Sequence, residues 1–214
     1  MPPTVLLLHG LARTSRSMAG MRKFLETNGF PTWAETYPSR LHTLEDLATQ
    51  VAEQVQRDLP NQRYVAVTHS LGGILVRHLG ERLPLEAAVM LAPPNAGTRA
   101  GLAFAQHPLY RWFYGPAGQQ VVRPEAWPQA WPPFPVGVIA GTNSLSPVNP
   151  ISWVTRALGI LPAQEPSDGT VTVAETKHPQ MHDFRTVDAS HTWIMDHPQV
   201  QAWTLRFLQE GKFG

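Results

Sequence analysis

The sequence predicts an α/β protein: one doubly wound, mostly parallel sheet of six strands with helices on both faces. Three observations carry this. Short β-branched or leucine-rich runs alternate with stretches of helical periodicity over most of the 214 residues, as in strands joined by right-handed crossovers. The run Tyr64–Val67 passes into a helical pattern from Leu71 across only Thr68, His69 and Ser70, so the chain must turn sharply there. Two polar loops, Ser167–Val171 and Ala189–Trp193, follow the last two strands, at the sheet end where open α/β folds collect their sites.

In chain order, Val5–Leu8 is a buried strand ending at His9-Gly10, and Leu11–Arg16 is a loop. Met18, Met21, Phe24 and Leu25 form a helical stripe that stops near Asn28-Gly29. Thr32–Thr36 reads as the second strand, with a turn at Tyr37–Arg40. Leu44, Leu47, Val51, Val55 and Leu59 space a long amphipathic helix, with Thr43 and Asp46 placed like the ends of a capping box. The third strand, Tyr64–Val67, is followed by a helix over Leu71–Leu83 that Pro84 stops. Ala87–Leu91, Val136–Ala140 and Phe184–Val187 are strands four to six. The last helix, Gln199–Gln209, turns Val200, Trp203, Phe207 and Leu208 inward.

This length suits a single domain, 1–214. The interval Pro93–Pro135 does not fit the alternation. It is broken by proline and carries Phe104, Tyr110, Trp112, Phe113, Tyr114, Trp127, Trp131 and Phe134, so 94–135 is expected to be a cap inserted after the fourth strand.

A net charge of +1, with no basic run interleaved with aromatics, gives no reason to expect nucleic acid as partner. Cysteine is absent, which removes disulfides, thiolate metal sites and a cysteine nucleophile. No H-E-x-x-H occurs, Pro179 spoils any ligand helix through His178 and His182, and Gly72-Gly73 lacks the lysine of a phosphate loop. The expectation is therefore no metal and no cofactor. Met1–Thr4 has no basic leader character and Val5–Leu8 is too short to span a membrane, so the chain as given reads as cytoplasmic.

At the corner between the third strand and its helix, Ser70 is expected at positive φ, its hydroxyl lifted clear of the sheet at the positive end of the helix. Thr68-His69-Ser70-Leu71-Gly72 resembles the G-x-S-x-G nucleophile elbow of the α/β-hydrolase superfamily, with Thr68 in place of the first glycine. The competing reading is a plain helix N-cap. A serine needs a base, and the base a carboxylate to fix its tautomer. In this superfamily the acid and then the histidine follow the serine. Asp168 lies after strand five in a D-G-x-V string similar to the acid loop of bacterial lipases and esterases, and His191 lies just after strand six. Asp183, Asp188 and Asp196 compete for the acid role, and His182 and His197 for the base.

Leu71, following the serine, supplies one backbone N–H to an oxyanion. Leu8-His9-Gly10-Leu11 resembles the H-G-x segment of lipases, which implies the Leu11 N–H as second donor and His9 as the residue that orients the loop. Adjacency of strands one and three at the switch point also supports this pairing.

The resemblance is to small serine esterases and lipases, and it implies a minimal six-stranded sheet in the order 2-1-3-4-5-6 that lacks the family's first two strands. It further implies an acyl-enzyme on Ser70 and a rate that rises with pH as the imidazole loses its proton. A small-molecule ester or lipid-like acyl compound is the expected substrate. Tyr110, Trp112, Phe113, Trp131 and Trp193 are expected to line the acyl pocket with His9 nearby, and an apolar lid favours medium or long chains. A thioesterase, amidase or acyltransferase would use the same residues. A non-catalytic binder on this scaffold would usually lose one of the three.

Overall fold

The strands β1 (Thr4–Leu8), β2 (Thr32–Trp33), β3 (Tyr64–His69), β4 (Leu85–Leu91), β5 (Val136–Gly141) and β6 (Asp183–Val187) form one parallel sheet in the order β2-β1-β3-β4-β5-β6. The structure is a computed structural model and describes residues 2–128, 130–145, 150–162 and 164–214. The helices are α1 (Ala19–Thr27), α2 (Leu44–Asp58), α3 (Leu71–Leu79), α4 (Arg99–Phe104), α5 (Pro108–Val121), α6 (Pro150–Ala157), α7 (Val173–Thr176) and α8 (Pro198–Glu210). Among the described residues no helix is long and apolar enough to cross a membrane.

The period-two geometry of a strand divides the core. Along β1, Leu6 and Leu8 join the layer beneath α2 and α3, with Leu47, Val51, Val55, Ile74 and Leu75. Val5 and Leu7 join the opposite layer beneath α1 and α8, with Met21, Leu25, Val200 and Phe207. Both faces being covered, the inner strands read in sequence as continuous apolar runs rather than alternating ones.

Several elements differ from the expectation for physical reasons. β2 has two residues rather than five, because the chain leaves the sheet edge to reach the end of β1. There the Tyr37 N–H donates to His9 Nε2 at 3.2 Å and its hydroxyl donates to the His9 carbonyl, bonds that replace a strand ladder. α3 ends at Leu79, four residues before the predicted limit, where Gly80, a weak helix former, lets the chain turn back toward Leu85. At Thr43 half of the capping box forms: its Oγ1 accepts the Asp46 N–H at 3.2 Å and donates to Asp46 Oδ2 at 2.7 Å. A glutamate is long enough to reach back, and the reciprocal box is found at Thr172 and Glu175 instead.

The aromatic interval, of which residue 129 lies outside the described residues, contains α4 and α5 rather than irregular chain. Pro108 starts α5 at a position whose N–H has no helical partner anyway. The break comes at Gly115 (φ 62°, ψ −159°), where a side chain would meet the Arg40 carbonyl.

Candidate active site

Ser70 sits between β3 and α3 with φ 52° and ψ −117°, a conformation that L residues avoid. Its N–H donates to the Leu91 carbonyl at 2.9 Å, tying the corner to β4. The hydroxyl makes no capping bond to α3. It lies 3.1 Å from His191 Nε2 instead. Thr68 is fully buried within β3, and the close approach of helix to sheet falls at Gly72, where a Cβ would stand 2.7 Å from the Leu8 carbonyl.

His191 Nδ1 lies 2.6 Å from Asp168 Oδ2. A carboxylate oxygen only accepts, so Nδ1 carries the proton and Nε2 offers its lone pair to the serine hydroxyl. The other carboxylate oxygen, Oδ1, accepts from the backbone N–H groups of Thr170 and Val171 at 2.9 and 2.8 Å. The turn at Gly169 (φ 90°) lets those two amides face back onto the side chain. The His191 N–H donates to the Asp168 carbonyl at 3.0 Å, so backbone as well as side chain couples the two loops.

The rival residues take no part in these contacts. His182 Nδ1 accepts from the Val136 N–H at the opposite end of β5, and His197 caps α8. Asp183 binds Arg185 and the Phe213 N–H, and Asp196 lies against α1 beside Gly20. Asp188 directly follows β6.

His9 is completely buried and stacked on Tyr37, ring centroids 3.8 Å apart. Its Nε2 accepts from the Tyr37 N–H, so Nδ1 is protonated and donates to the Gly10 carbonyl at 2.8 Å. Burial lowers its pKa to about 4, which keeps the ring neutral. Through these bonds His9 fixes the turn that presents Leu11. Leu11 and Leu71 both line the same cavity. Leu71 opens α3, where an N–H has no helical acceptor.

Two further residues at the site were not singled out in the sequence. His69, buried beneath the corner, donates from Nε2 to the His191 carbonyl at 2.8 Å. Its Nδ1 is then a bare acceptor, without a partner among the described residues. Burial first, and the neighbouring charges of His191 and Arg13 next, push its pKa well below the ordinary histidine value. Arg13 Nη1 donates to the Thr192 carbonyl at 2.7 Å. Position was the available clue in both cases: His69 precedes the serine, and Arg13 is the first charged residue after the His9-Gly10 turn.

The cavity beside Ser70 measures about 420 Å³ and is walled by Leu11, Leu71, Phe104, Tyr110, Tyr114 and Val121 among others. Of the six pocket candidates only Tyr110 belongs to that wall. Trp112 and Phe113 are 76% and 41% exposed and lie over Arg40, on the outside of α5. Trp131 stacks on His178 at 3.8 Å, with Arg77 over its ring. Trp193 is half exposed beneath Arg13, and His9 lies in the core. Tyr110 and Tyr114, one helical turn apart, face the cavity, and the spacing alone does not reveal which side of α5 is turned inward.

No protein-family model and no curated protein sequence matches the chain. Solved structures do resemble it. A Bacillus licheniformis lipase, BlEst2 in mature form, is 16% identical with a TM-score of 0.70, over 99% of this chain and 92% of that one. The metagenomic carboxyl esterase MGS0156 is 17% identical with a TM-score of 0.73, over 98% and 76%. The type II thioesterase BorB from the borrelidin biosynthetic cluster is 16% identical with a TM-score of 0.57, over 97% and 91%. At such identities the likeness establishes architecture: the chain has the α/β-hydrolase fold.

Proposed function

We propose that the protein is a serine hydrolase that cleaves carboxylic esters through an acyl-enzyme on Ser70. His191 takes the hydroxyl proton at Nε2 as Oγ attacks the ester carbonyl. Asp168 keeps the imidazole in the required tautomer and steadies the imidazolium. The backbone N–H groups of Leu11 and Leu71 hold the tetrahedral oxyanion. His191 then protonates the leaving alcohol, and water attacks the acyl-enzyme by the reverse route.

The observation that supports this most is the unbroken chain of contacts from Asp168 through His191 to a serine hydroxyl that opens on a largely apolar cavity. Phe104, Tyr110, Tyr114 and Val121 form the acyl side of the site, and segment 94–135 acts as its cap. An apolar wall of this kind favours hydrocarbon acyl chains over charged ones.

Ser70→Ala tests the reading. It is expected to abolish p-nitrophenyl butyrate turnover and labelling by a fluorophosphonate while the protein stays folded. Undiminished turnover or labelling in that variant would sink the proposal.

A further inference from the structure

We infer that Arg13 forms an anion subsite on the leaving-group side of the cavity, so that the preferred substrates are esters whose alcohol part carries a carboxylate or a phosphate. This rests on the ester-hydrolase reading and narrows it to a substrate class.

The cavity wall is charged on one side only. Among the described residues that line it there is no aspartate or glutamate, and Arg13 is the sole arginine or lysine. Its guanidinium has five N–H donors, and one contact is to the Thr192 carbonyl at 2.7 Å. The rest of the group lies over the Trp193 ring at 6.0 Å. No carboxylate among the described residues pairs with it. Asp196, the acid whose charge it feels, is held against Gly20 instead. A partly buried cation is costly without a counter-charge. Burial pulls the Arg13 pKa down, and Asp196 opposes that as the smaller effect. The structure thus keeps a cation in a cavity whose own wall offers it no anion.

The position on the leaving-group side follows from its anchor. Arg13 grips the carbonyl of the residue after His191, the group that returns a proton to the departing oxygen. The acyl side, formed by α4 and α5, presents Phe104, Tyr110, Tyr114 and Val121, with no cation among them. An anion on the alcohol would thus meet Arg13 while a hydrocarbon acyl chain lies against the aromatic wall. Guanidinium suits carboxylate and phosphate alike through paired N–H donors.

Two matched pairs of butyrate esters test the inference. One is the butyrate ester of 4-hydroxybenzoate against that of its methyl ester. The other is 1-butyrylglycerol 3-phosphate against 1-butyrylglycerol. In each pair the acyl group is constant and the alcohol gains or loses an anion; the Arg13 variants separate the effect of that charge from those of size and leaving-group acidity. In whichever pair carries the preferred anion, the charged member is expected to show a kcat/KM about tenfold higher than its neutral partner, in line with one charge-assisted bond at a partly exposed site. The pair with the larger ratio identifies carboxylate or phosphate. The ratio should shrink as salt is raised, because exposed charges are screened. Arg13→Gln should bring it close to one, and Arg13→Lys should keep part of it. The ratio is internal to each protein, so a general loss of activity in a variant does not mimic the effect.

Equal or lower kcat/KM for both charged esters in the unaltered protein, or a ratio that survives Arg13→Gln, overturns the subsite and leaves the hydrolase reading intact. Turnover of none of the four esters, with no fluorophosphonate labelling, overturns both.

Discussion

Replacing Ser70 by glycine and by alanine separates the strain at the corner from the chemistry of the hydroxyl. Both variants remove Oγ and with it the 3.1 Å contact to His191, so that loss cancels in the comparison. Neither forfeits a helix cap, since the serine makes none. What differs is the backbone. At φ 52° and ψ −117°, a residue with a Cβ is held at a cost of roughly 1–3 kcal/mol. Glycine escapes that cost but gives up about 0.5–1 kcal/mol in the entropy of the unfolded chain.

Taking the middle of each range, Ser70→Gly is expected to be more stable than Ser70→Ala by about 1–2 kcal/mol. For a chain of this size that corresponds to a melting temperature higher by about 2–8 °C. Scanning calorimetry at one pH, supported by urea titration, reads the difference, and both variants should be inactive on p-nitrophenyl butyrate. Alanine the more stable by about 0.5–1 kcal/mol, the unfolded-chain entropy alone, would show that the corner stores no strain. The account of how the hydroxyl is presented would then fall.

Other consequences follow from the same geometry. Gly72→Ala places a Cβ 2.7 Å from the Leu8 carbonyl; overpacking of this kind costs about 1–3 kcal/mol, readable as a lower urea midpoint, with activity reduced because α3 is displaced from β1. Asp168→Asn removes the carboxylate that fixes the His191 tautomer and should lower kcat by about 10³–10⁴-fold with the fold preserved; steady-state kinetics beside a circular dichroism spectrum check it. Stability should fall on acidification: the unfolded chain takes up a proton at His9 below about 6.5 and the folded chain only near about 4, so stability is complete above the first value and is lost down to the second. The loss from His9 is about 3 kcal/mol, with His69 acting in the same direction, and urea titrations across that range measure the slope. Trp112, 76% exposed and absent from the cavity wall, should leave the acyl chain-length profile unchanged on Trp112→Ala, whereas Phe104→Ala should shift it toward longer chains.

Much of the scaffold was legible because the signals were local. A buried parallel strand announces itself as an apolar run, and the three-residue passage from Val67 to Leu71 leaves the chain no option but a corner. Once the corner was placed, chain order and strand ends led to Asp168 and His191, which the structure brings within hydrogen-bonding distance of each other and of Ser70. The pocket was not legible in this way. Trp112, Phe113 and Tyr110 lie within four residues of one another in α5, yet only Tyr110 faces the cavity. The outward side is the one that meets Arg40, through Trp112 and Phe113, a contact between segments far apart in sequence. β2 was overestimated for a related reason: Thr32–Thr36 has strand-like residues, but His9 draws Tyr37 off the sheet edge.

The contacts that hold His191 explain why its loop needs no long element to position it. Its ring is held by Asp168, its N–H by the Asp168 carbonyl, and its own carbonyl by His69. Arg13 grips the next carbonyl. These partners come from three separate places: the loop after β1, the last residue of β3 and the loop that precedes α7. Non-glycine residues with positive φ stand directly after β3 and β4, at Ser70 and Ala92, and in the loop after β1, at Ala12. Strained backbone persists where surrounding structure over-determines it, and here the ladder behind it is a sheet buried on both faces. A short, irregular histidine loop can therefore be held to within the tolerance that proton transfer requires, because each carbonyl that might drift already accepts a bond from a rigid neighbour. On that view the orphan Nδ1 of His69 has a simple cause: its ring can satisfy only one direction, and that direction is taken by the His191 carbonyl.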